Sequence, residues 1–385
     1  MRTVCASGMP FAGEAFRTLG EAVVLDGRAI AAPDVRGADL LAVRSTTRVG
    51  RELLAGSAVR FVGTATIGFD HLDTAWLEQA GIRWRHSPGC NANSVSEYVA
   101  AALLWLARRR GVPLRGRTLG VIGVGNVGRL VAAKAEALGL RVLRNDPPRE
   151  RAEGAGGPAP FVPLPRLLDE SDAVTLHVPL TREGPDATFH MADAAFFARL
   201  KPGATFVNSA RGPVVETGAL LAAIDGGRVA HAVIDTWEGE PAFRADLLGR
   251  ADLGTPHIAG YSYDGKVAGT VRVYEEACRF LGIEPAWSPE GLLPPPPVPD
   301  VALDAAGVPE EAVLHALVRA VYDIEADDAR LREGAGLPEA RRAAHFDRLR
   351  KEYPERREFR FTRARLAGGP PELVRAAAAL GFQTG

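Results

Sequence analysis

The sequence contains few cysteines. Cys5, Cys90 and Cys278 are the three in 385 residues, and they lie far apart. An odd, scattered set fits neither a disulfide framework nor the close spacing of a metal site. We therefore expect a reducing compartment and no metal.

An excess of charge of one sign is also missing, since 46 Lys and Arg residues face 47 Asp and Glu residues. No overall field favours nucleic acid or an anionic membrane surface. The longest apolar run, residues 98–107, is too short to cross a bilayer, and the N-terminus has no signal-peptide pattern. The sequence predicts a cytoplasmic protein that binds neither nucleic acid nor membrane.

The length predicts two to three domains. A small α/β domain extends to about residue 110, and a proline-rich, extended linker follows at residues 292–300. Between them, strand patterns alternate with helix patterns, which predicts a doubly wound parallel sheet. The strands are 118–122, 140–143, 173–177, 204–208 and 229–234, and the helices are 129–138, 192–200 and 218–224. Residues 151–160, rich in glycine and proline, predict a surface loop.

A further helix is predicted where the first two domains join. Ser94 stands three residues before Glu97, and the apolar run 98–107 follows, as in a capping box at the start of a buried helix.

A G-x-G-x-x-G motif lies between the first strand and the first helix of this sheet. Gly123 permits a tight turn, Gly125 lets a pyrophosphate approach, and Gly128 allows close helix packing. The helix N-terminus, with Asn126 and Val127, offers N–H groups to the anion. The context predicts a dinucleotide site.

Asp146 ends the second strand, where a carboxylate can accept hydrogen bonds from the adenosine ribose and repel a 2′-phosphate. This favours NAD. The neighbouring Arg144 and Arg149 leave NADP as an alternative, and Asp146 could instead be a turn residue before Pro147.

Four later motifs, at residues 177–180, 208–212, 235–241 and 255–261, resemble those of the D-2-hydroxyacid dehydrogenase family. The likeness covers most of residues 1–282. It implies that Arg211, Glu240 and His257 are catalytic. It also implies that NAD is contacted by Thr175, Ser209, Ala210, Asp235 and Gly260.

These residue types suit the chemistry independently. A guanidinium fork can hold a carboxylate, an imidazole can take the hydroxyl proton, and a carboxylate can orient that imidazole. Singly, each has a plainer interpretation: Arg211 in a surface ion pair, Glu240 as a helix first-turn acid and His257 as a loop histidine.

One branch of the family is matched more fully, at residues 43–47, 61–73 and 88–93 and in the C-terminal block. It implies a phosphorylated 2-hydroxy acid as substrate, contacted by Ser45, Thr66 and Tyr261, and a homodimer. Arg44 is a further counter-charge for the phosphate or a structural ion pair.

The expected fold class is α/β: two doubly wound domains followed by a C-terminal α+β dimerisation domain. The substrate domain is residues 1–92, completed by 258–285; the NAD-binding Rossmann domain is 93–257; the dimerisation domain is 286–385.

Two other functions stay open. One is another enzyme of the family, acting on 3-phosphoglycerate or hydroxypyruvate; the other is an NAD-sensing regulatory protein. The basic residues between 348 and 357 are interpreted as a solvated helix face, or as donors to the partner subunit's substrate phosphate.

Overall fold

The computed structural model describes residues 1–154 and 160–384. They form two compact units: unit 1 comprises residues 1–93 and 261–295, and unit 2 comprises residues 94–260 and 296–385. The C-terminal region thus groups with the predicted Rossmann residues. The division into three domains stays a prediction.

Unit 1 is built on a five-stranded parallel sheet with the order β2-β1-β3-β4-β5. The strands are β1 (Arg2–Ala6), β2 (Glu21–Leu25), β3 (Leu40–Val43), β4 (Phe61–Thr64) and β5 (Arg83–Arg85). The helices are α1 (Ala12–Arg17), α2 (Ala32–Val35), α3 (Arg51–Leu54), α4 (Thr74–Gln79) and α12 (Tyr263–Leu281).

Both faces of this sheet are covered, because β3 and β4 are buried along their whole length. A separate apolar cluster lies on each face. Helix α12 comes very close to β4: a Cβ at Gly63 would lie 2.3 Å from Val273 Cγ1. The return of the chain at α12 therefore completes the core of unit 1.

Unit 2 contains a six-stranded parallel sheet with the order β11-β10-β9-β8-β6-β7. The strands are β6 (Thr118–Ile122), β7 (Arg141–Asn145), β8 (Ala173–Leu176), β9 (Ala204–Asn208), β10 (Val229–Ile234) and β11 (Leu253–Gly254). The helices are α5 (Ala92–Arg110), α6 (Gly128–Ala137), α7 (Pro147–Glu153), α8 (Leu164–Glu170), α9 (Ala194–Arg199), α10 (Thr217–Asp225) and α11 (Ala245–Arg250).

The C-terminal region adds a three-stranded parallel sheet, ordered β12-β13-β14. Its elements are β12 (Asp300–Asp304), α13 (Glu310–Val321), α14 (Ile324–Arg332), α15 (Glu339–Lys351), β13 (Arg363–Ala367), α16 (Pro371–Leu380) and β14 (Gln383–Thr384). Leu331 and Phe346 of this region belong to the same apolar core as the Rossmann-type sheet. The predicted fold class, two doubly wound α/β parts and a C-terminal α+β part, is confirmed.

The predicted capping box is wrong. Helix α5 begins at Ala92, so Ser94 and Glu97 lie inside its first two turns. Both are fully buried. Ser94 Oγ donates to Glu358 Oε1 at 3.1 Å, and the Phe359 N–H donates to Glu97 Oε1 at 2.9 Å. Their polar atoms bind the C-terminal region rather than the helix end.

The loop predicted over residues 151–160 is partly wrong as well. Residues 151–153 complete α7, which Asp146 caps by accepting from the Arg149 N–H at 3.1 Å. Residues 155–159 lie outside the described residues.

We predict that Phe346→Ala lowers the free energy of unfolding by about 3–5 kcal/mol, the usual range for deleting a buried phenyl ring. Phe346 is fully buried, and its ring centroid is 5.6 Å from that of Phe243. Chemical denaturation measures the effect. The control is Val308→Ala at an exposed position, which should change stability by no more than about 0.5 kcal/mol. A similar effect for both variants would contradict the shared core.

Candidate active site

The candidate residues of unit 2 follow the carboxyl ends of its parallel strands. Ligands bind at this edge in open α/β sheets, where the strand order reverses. The reversal lies between β6 and β8, which pair with each other. Gly123 follows β6 directly, and His177 follows β8. The candidate cofactor residues therefore lie at the expected edge.

The glycine motif has the geometry that a dinucleotide loop needs. Gly123 has a φ of +83°, and a Cβ there would lie 2.6 Å from the His177 carbonyl oxygen. A Cβ at Gly128 would lie 2.0 Å from the Gly123 carbonyl oxygen. At Gly125, in contrast, nothing lies within 4 Å of the Cβ position. The loop is tight on its inner side and open where a pyrophosphate would approach.

Asp146 braces this loop. Its Oδ2 accepts from the Val124 N–H at 2.8 Å, while Oδ1 caps α7. An ionised carboxylate can accept about four hydrogen bonds, so it retains capacity for ribose hydroxyls. Instead of a turn residue before Pro147, Asp146 is the N-cap of α7, and this does not exclude a ribose contact.

The two arginines that left NADP open are both engaged in ion pairs. Arg144 lies 2.6 Å from Glu136. Arg149 pairs with Glu153 and also donates to the Val124 carbonyl. Their charges are thus already partly neutralised within the chain.

The end of β9 carries Ser209, Ala210 and Arg211. The Ala210 N–H donates to Asn208 Oδ1 at 3.1 Å, which shapes the turn. Ser209 Oγ is a buried polar atom with no hydrogen-bond partner among the described residues. Such an atom is costly unless a ligand or water satisfies it, and this fits a cofactor nearby. Arg211 is half-buried, and its Nη1 donates to the Ala210 carbonyl at 2.7 Å.

Thr175 is less available than expected. It is fully buried within β8, and its hydroxyl lies 2.9 Å from His177 Nε2. Burial lowers the pKa of His177 to about 3, so this imidazole is neutral. The pair lies next to the glycine loop, since the His177 carbonyl packs against Gly123.

Glu240 and His257 are in direct contact. Glu240 Oε1 hydrogen bonds His257 Nδ1, and Oε2 accepts from the Trp237 N–H at 3.0 Å. Burial raises the pKa of Glu240, but His257 and then Arg350 outweigh burial, so its net pKa is lowered. A quarter or so of each side chain is exposed, 23% for Glu240 and 28% for His257. The structure thus joins two of the three predicted catalytic residues.

The loop that carries His257 is held by Asp235. This buried carboxylate accepts from Thr255 Oγ1 at 2.7 Å, the Ile258 N–H at 2.7 Å and the Ala259 N–H at 3.1 Å. His257 itself has a φ of +55°, in the left-handed region that non-glycine residues seldom adopt. Strained residues of this kind cluster at functional sites.

The sequence did not single out Tyr98 or Thr255. The Tyr98 hydroxyl lies 2.8 Å from Thr255 Oγ1, so helix α5 supports the Asp235 cluster. In the sequence Tyr98 is part of the apolar run 98–107, and Thr255 is the first residue of the motif 255–261. A tyrosine inside an apolar helix was the available signal, since a buried hydroxyl needs a partner.

In unit 1, Ser45 and Thr66 follow the neighbouring strands β3 and β4. Thr66 Oγ1 donates to the Gly68 carbonyl at 2.7 Å. The Tyr261 ring has Arg44 Cζ 5.6 Å from its centroid and Lys266 Nζ 4.9 Å from it. The candidate substrate residues therefore include a tyrosine flanked by two cations.

Basic residues 348–357 are not one solvated face. Arg348 lies in the last turn of α15 and is exposed. Arg356 and Arg357 lie beyond the helix and are buried. The interpretation is wrong for these two. After α15 the chain packs against the rest of unit 2, where Arg356 donates to the Ser94 and Ala259 carbonyls.

Within the described ranges, no three or more His, Cys, Asp or Glu side chains are grouped as a metal site would need. Nor is any described helix long and apolar enough to cross a membrane.

Comparison with family models gives two matches. Residues 92–259 match the NAD binding domain of D-isomer specific 2-hydroxyacid dehydrogenases. Residues 292–381 match a domain of unknown function.

Similar proteins cover nearly the whole chain. The erythronate-4-phosphate dehydrogenase of Cronobacter sakazakii is 47% identical over 93% of this chain and 92% of its own length. The enzyme of the same name from Salmonella typhimurium is 46% identical over the same shares.

Solved structures are similar over about three quarters of this chain. The TT0316 protein of Thermus thermophilus has a TM-score of 0.64 and 28% identity, covering 74% of this chain and 99% of its own. D-lactate dehydrogenase of Aquifex aeolicus, complexed with NAD and lactic acid, has a TM-score of 0.62 and 26% identity, covering 73% and 96%.

We predict that Gly128→Ala weakens NADH binding at least about tenfold, because the displaced loop loses charge-assisted hydrogen bonds to the pyrophosphate. Fluorescence titration measures the dissociation constant. Gly218→Ala in α10 is the matched control, since nothing lies within 4 Å of its Cβ position. Equal affinity in both variants would contradict the proposed loop.

Proposed function

The chain belongs to the D-isomer specific 2-hydroxyacid dehydrogenases, among the erythronate-4-phosphate dehydrogenases, and we propose that it oxidises 4-phospho-D-erythronate with NAD. The product would be 2-oxo-3-hydroxy-4-phosphobutanoate, on the route to pyridoxal 5′-phosphate. The observation that carries the chemistry is the Glu240–His257 hydrogen bond, at the same sheet edge as the glycine loop. When bound, the nicotinamide supplies the hydride acceptor.

His257 is the proposed general base. Its Nδ1 is engaged by the Glu240 carboxylate, so Nδ1 carries the proton and Nε2 presents a lone pair. Nε2 then takes the proton from the C2 hydroxyl as the hydride leaves C2. The imidazolium that results is stabilised by Glu240, whose lowered pKa keeps it ionised.

Arg211 is proposed to hold the substrate carboxylate. A guanidinium has five N–H donors in a planar fork that matches a carboxylate. The Nη1 bond to the Ala210 carbonyl limits rotation of the side chain. When the carboxylate is held, C2 keeps one orientation relative to His257 and the nicotinamide. Fixing the reacting groups in this way speeds the reaction.

The cofactor contacts are proposed residue by residue. Backbone groups of Gly123, Gly125, Asn126, Val127 and Gly128 would hold the pyrophosphate. Asp146 would accept from the adenosine ribose. The nicotinamide half would be contacted by Thr175, Ser209, Ala210, Asp235 and Gly260; of these, Thr175 and Asp235 are the most enclosed.

The substrate residues are proposed in unit 1. Ser45, Thr66 and Tyr261 supply hydroxyls, and Arg44 and Lys266 bring positive charge to Tyr261. Two cations and hydroxyl donors suit a phosphate dianion. A homodimer through the C-terminal region and a cytoplasmic location stay predictions; sedimentation measures the former.

We predict that the purified enzyme prefers 4-phospho-D-erythronate to 3-phosphoglycerate. Initial rates of NADH formation on both substrates give the ratio of kcat/KM values, and NADH consumption with hydroxypyruvate is a separate assay for the reductase alternative. Selectivity of about 10²-fold or more fits a site that binds the additional hydroxyl, because buried polar groups left unpaired penalise the shorter substrate. A preference for the three-carbon substrate would assign the chain a different activity in the family.

We predict that His257→Ala lowers kcat by about 10²–10⁴-fold while NADH still binds. Glu240→Gln should lower kcat by about tenfold or more, because the imidazolium that forms as the hydride leaves loses its anionic partner. Steady-state rates at one fixed pH measure both variants. Wild-type kcat in Glu240→Gln would remove Glu240 from the mechanism.

A further inference from the structure

The His257 loop is contacted from the C-terminal region by one buried guanidinium. Arg356 Nη2 donates to the Ala259 carbonyl and to the Ser94 carbonyl, each at 3.0 Å. Arg356 is only 5% exposed. A buried charge is costly unless it is hydrogen-bonded or paired. Nη2 meets both carbonyls, whereas Nε and Nη1 have no hydrogen-bond partner among the described residues. The two Nη2 bonds are therefore the hydrogen bonds that offset the cost of burying this guanidinium.

The peptide groups directly after His257 therefore have partners for both their N–H and their carbonyl groups. Asp235 accepts the Ile258 and Ala259 N–H groups, while Arg356 donates to the Ala259 carbonyl. Ala259 lies two residues after His257. Movement of this residue would rotate the His257 backbone, which already has a φ of +55°.

Arg356 is itself held in place. The Tyr322 ring centroid lies 4.2 Å from its Cζ, a close cation–π contact. The Tyr322 and Tyr353 hydroxyls donate to Asp327 Oδ2 at 3.0 and 2.8 Å. The guanidinium thus packs against a hydrogen-bonded group of side chains: Tyr322 directly after α13, Asp327 in α14 and Tyr353 after α15.

The same region supports the strand that leads into the loop. Asp328 Oδ1 accepts the Gly254 N–H of β11 at 2.7 Å. Arg332 donates to the Leu248 and Ala251 carbonyls, each at 2.8 Å. β11 is the edge strand of its sheet and is two residues long, so these contacts replace a missing neighbour strand.

We propose that Arg356 is a positioning residue for the dehydrogenase reaction, holding the His257 loop in its working geometry through the Ala259 carbonyl. The proposal rests on the proposed role of His257 as general base. It gives the C-terminal region a part in the chemistry of its own chain, besides any role in assembly. A displacement of about 1 Å in a catalytic group can cost about 10²-fold in rate.

The test is a double-mutant cycle with Arg356→Lys and His257→Ala. Lysine keeps the charge but lacks the planar group that stacks on the Tyr322 ring and so holds Nη2 at both carbonyls. We expect Arg356→Lys to lower kcat about tenfold or more, with the NADH dissociation constant within about threefold of the wild-type value. In the His257→Ala background the same change should alter kcat less than about twofold, because no imidazole remains to be positioned.

Two controls accompany the cycle. Arg365→Lys changes an exposed arginine of β13 that pairs with Asp300 at 3.2 Å, and it should keep wild-type kcat. Tyr322→Leu removes the ring beneath Arg356 and keeps the arginine. It provides a second route to the same loss should Arg356→Lys fold poorly.

A kcat loss of the same factor in both backgrounds would overturn the proposal, as would wild-type kcat in Arg356→Lys or in a folded Tyr322→Leu. Faster hydrogen exchange at the Ile258 and Ala259 amides in Arg356→Lys, with β9 unchanged, would support it; unchanged exchange would count against it. Failure of the function itself is distinguishable, since His257→Ala alone would then retain near-normal kcat.

Discussion

The candidate site depends most on the hydrogen bonds that the buried carboxylate of Asp235 accepts from the loop around His257. Burial raises its pKa, and removing a carboxylate from water is costly. Two backbone N–H groups and the Thr255 hydroxyl offset this cost and in doing so tie down the loop around His257. With the loop fixed, the His257 imidazole is already placed to hydrogen bond Glu240. Positioning is thus provided by a buried acid that need not touch the substrate.

The sheet topology explains how two neighbouring strands, β10 and β11, bring Asp235, Glu240 and His257 together. Asp235 and Glu240 both follow β10, so one strand end carries the anchor of the loop and the partner of the imidazole. β11, its parallel neighbour, carries His257 at the same edge. Parallel pairing aligns carboxyl ends, which brings residues distant in sequence together. β11 is a short edge strand with a neighbour on one side only. Asp328 of the C-terminal region accepts a hydrogen bond from its Gly254 N–H and so stabilises the strand.

Local signals explain what the sequence predicted and what it missed. β6, β9 and β10 have the predicted bounds, because strand periodicity and the glycine motif are local in sequence. Ser94 and Glu97 instead satisfied a helix-capping pattern by spacing, yet their partners, Glu358 and Phe359, lie more than 260 residues later. Charged residues are mostly exposed, so no local pattern indicates that Arg356 is buried.

The buried contact between α5, α6 and the C-terminal region holds several titratable side chains, among them Glu97, Lys134 and Glu358. Burial and then Glu358 raise the pKa of Glu97 to about 8, while burial lowers that of Lys134. Buried ion pairs add little net stability, because desolvation offsets their attraction, but a misplaced partner leaves a costly bare charge. Stability comes instead from apolar contacts elsewhere between the C-terminal region and the rest of unit 2, such as Phe346 on Phe243. A shifted arrangement would also leave the buried guanidinium of Arg356 without its two carbonyl partners, and this penalty keeps it within hydrogen-bond distance of the His257 loop.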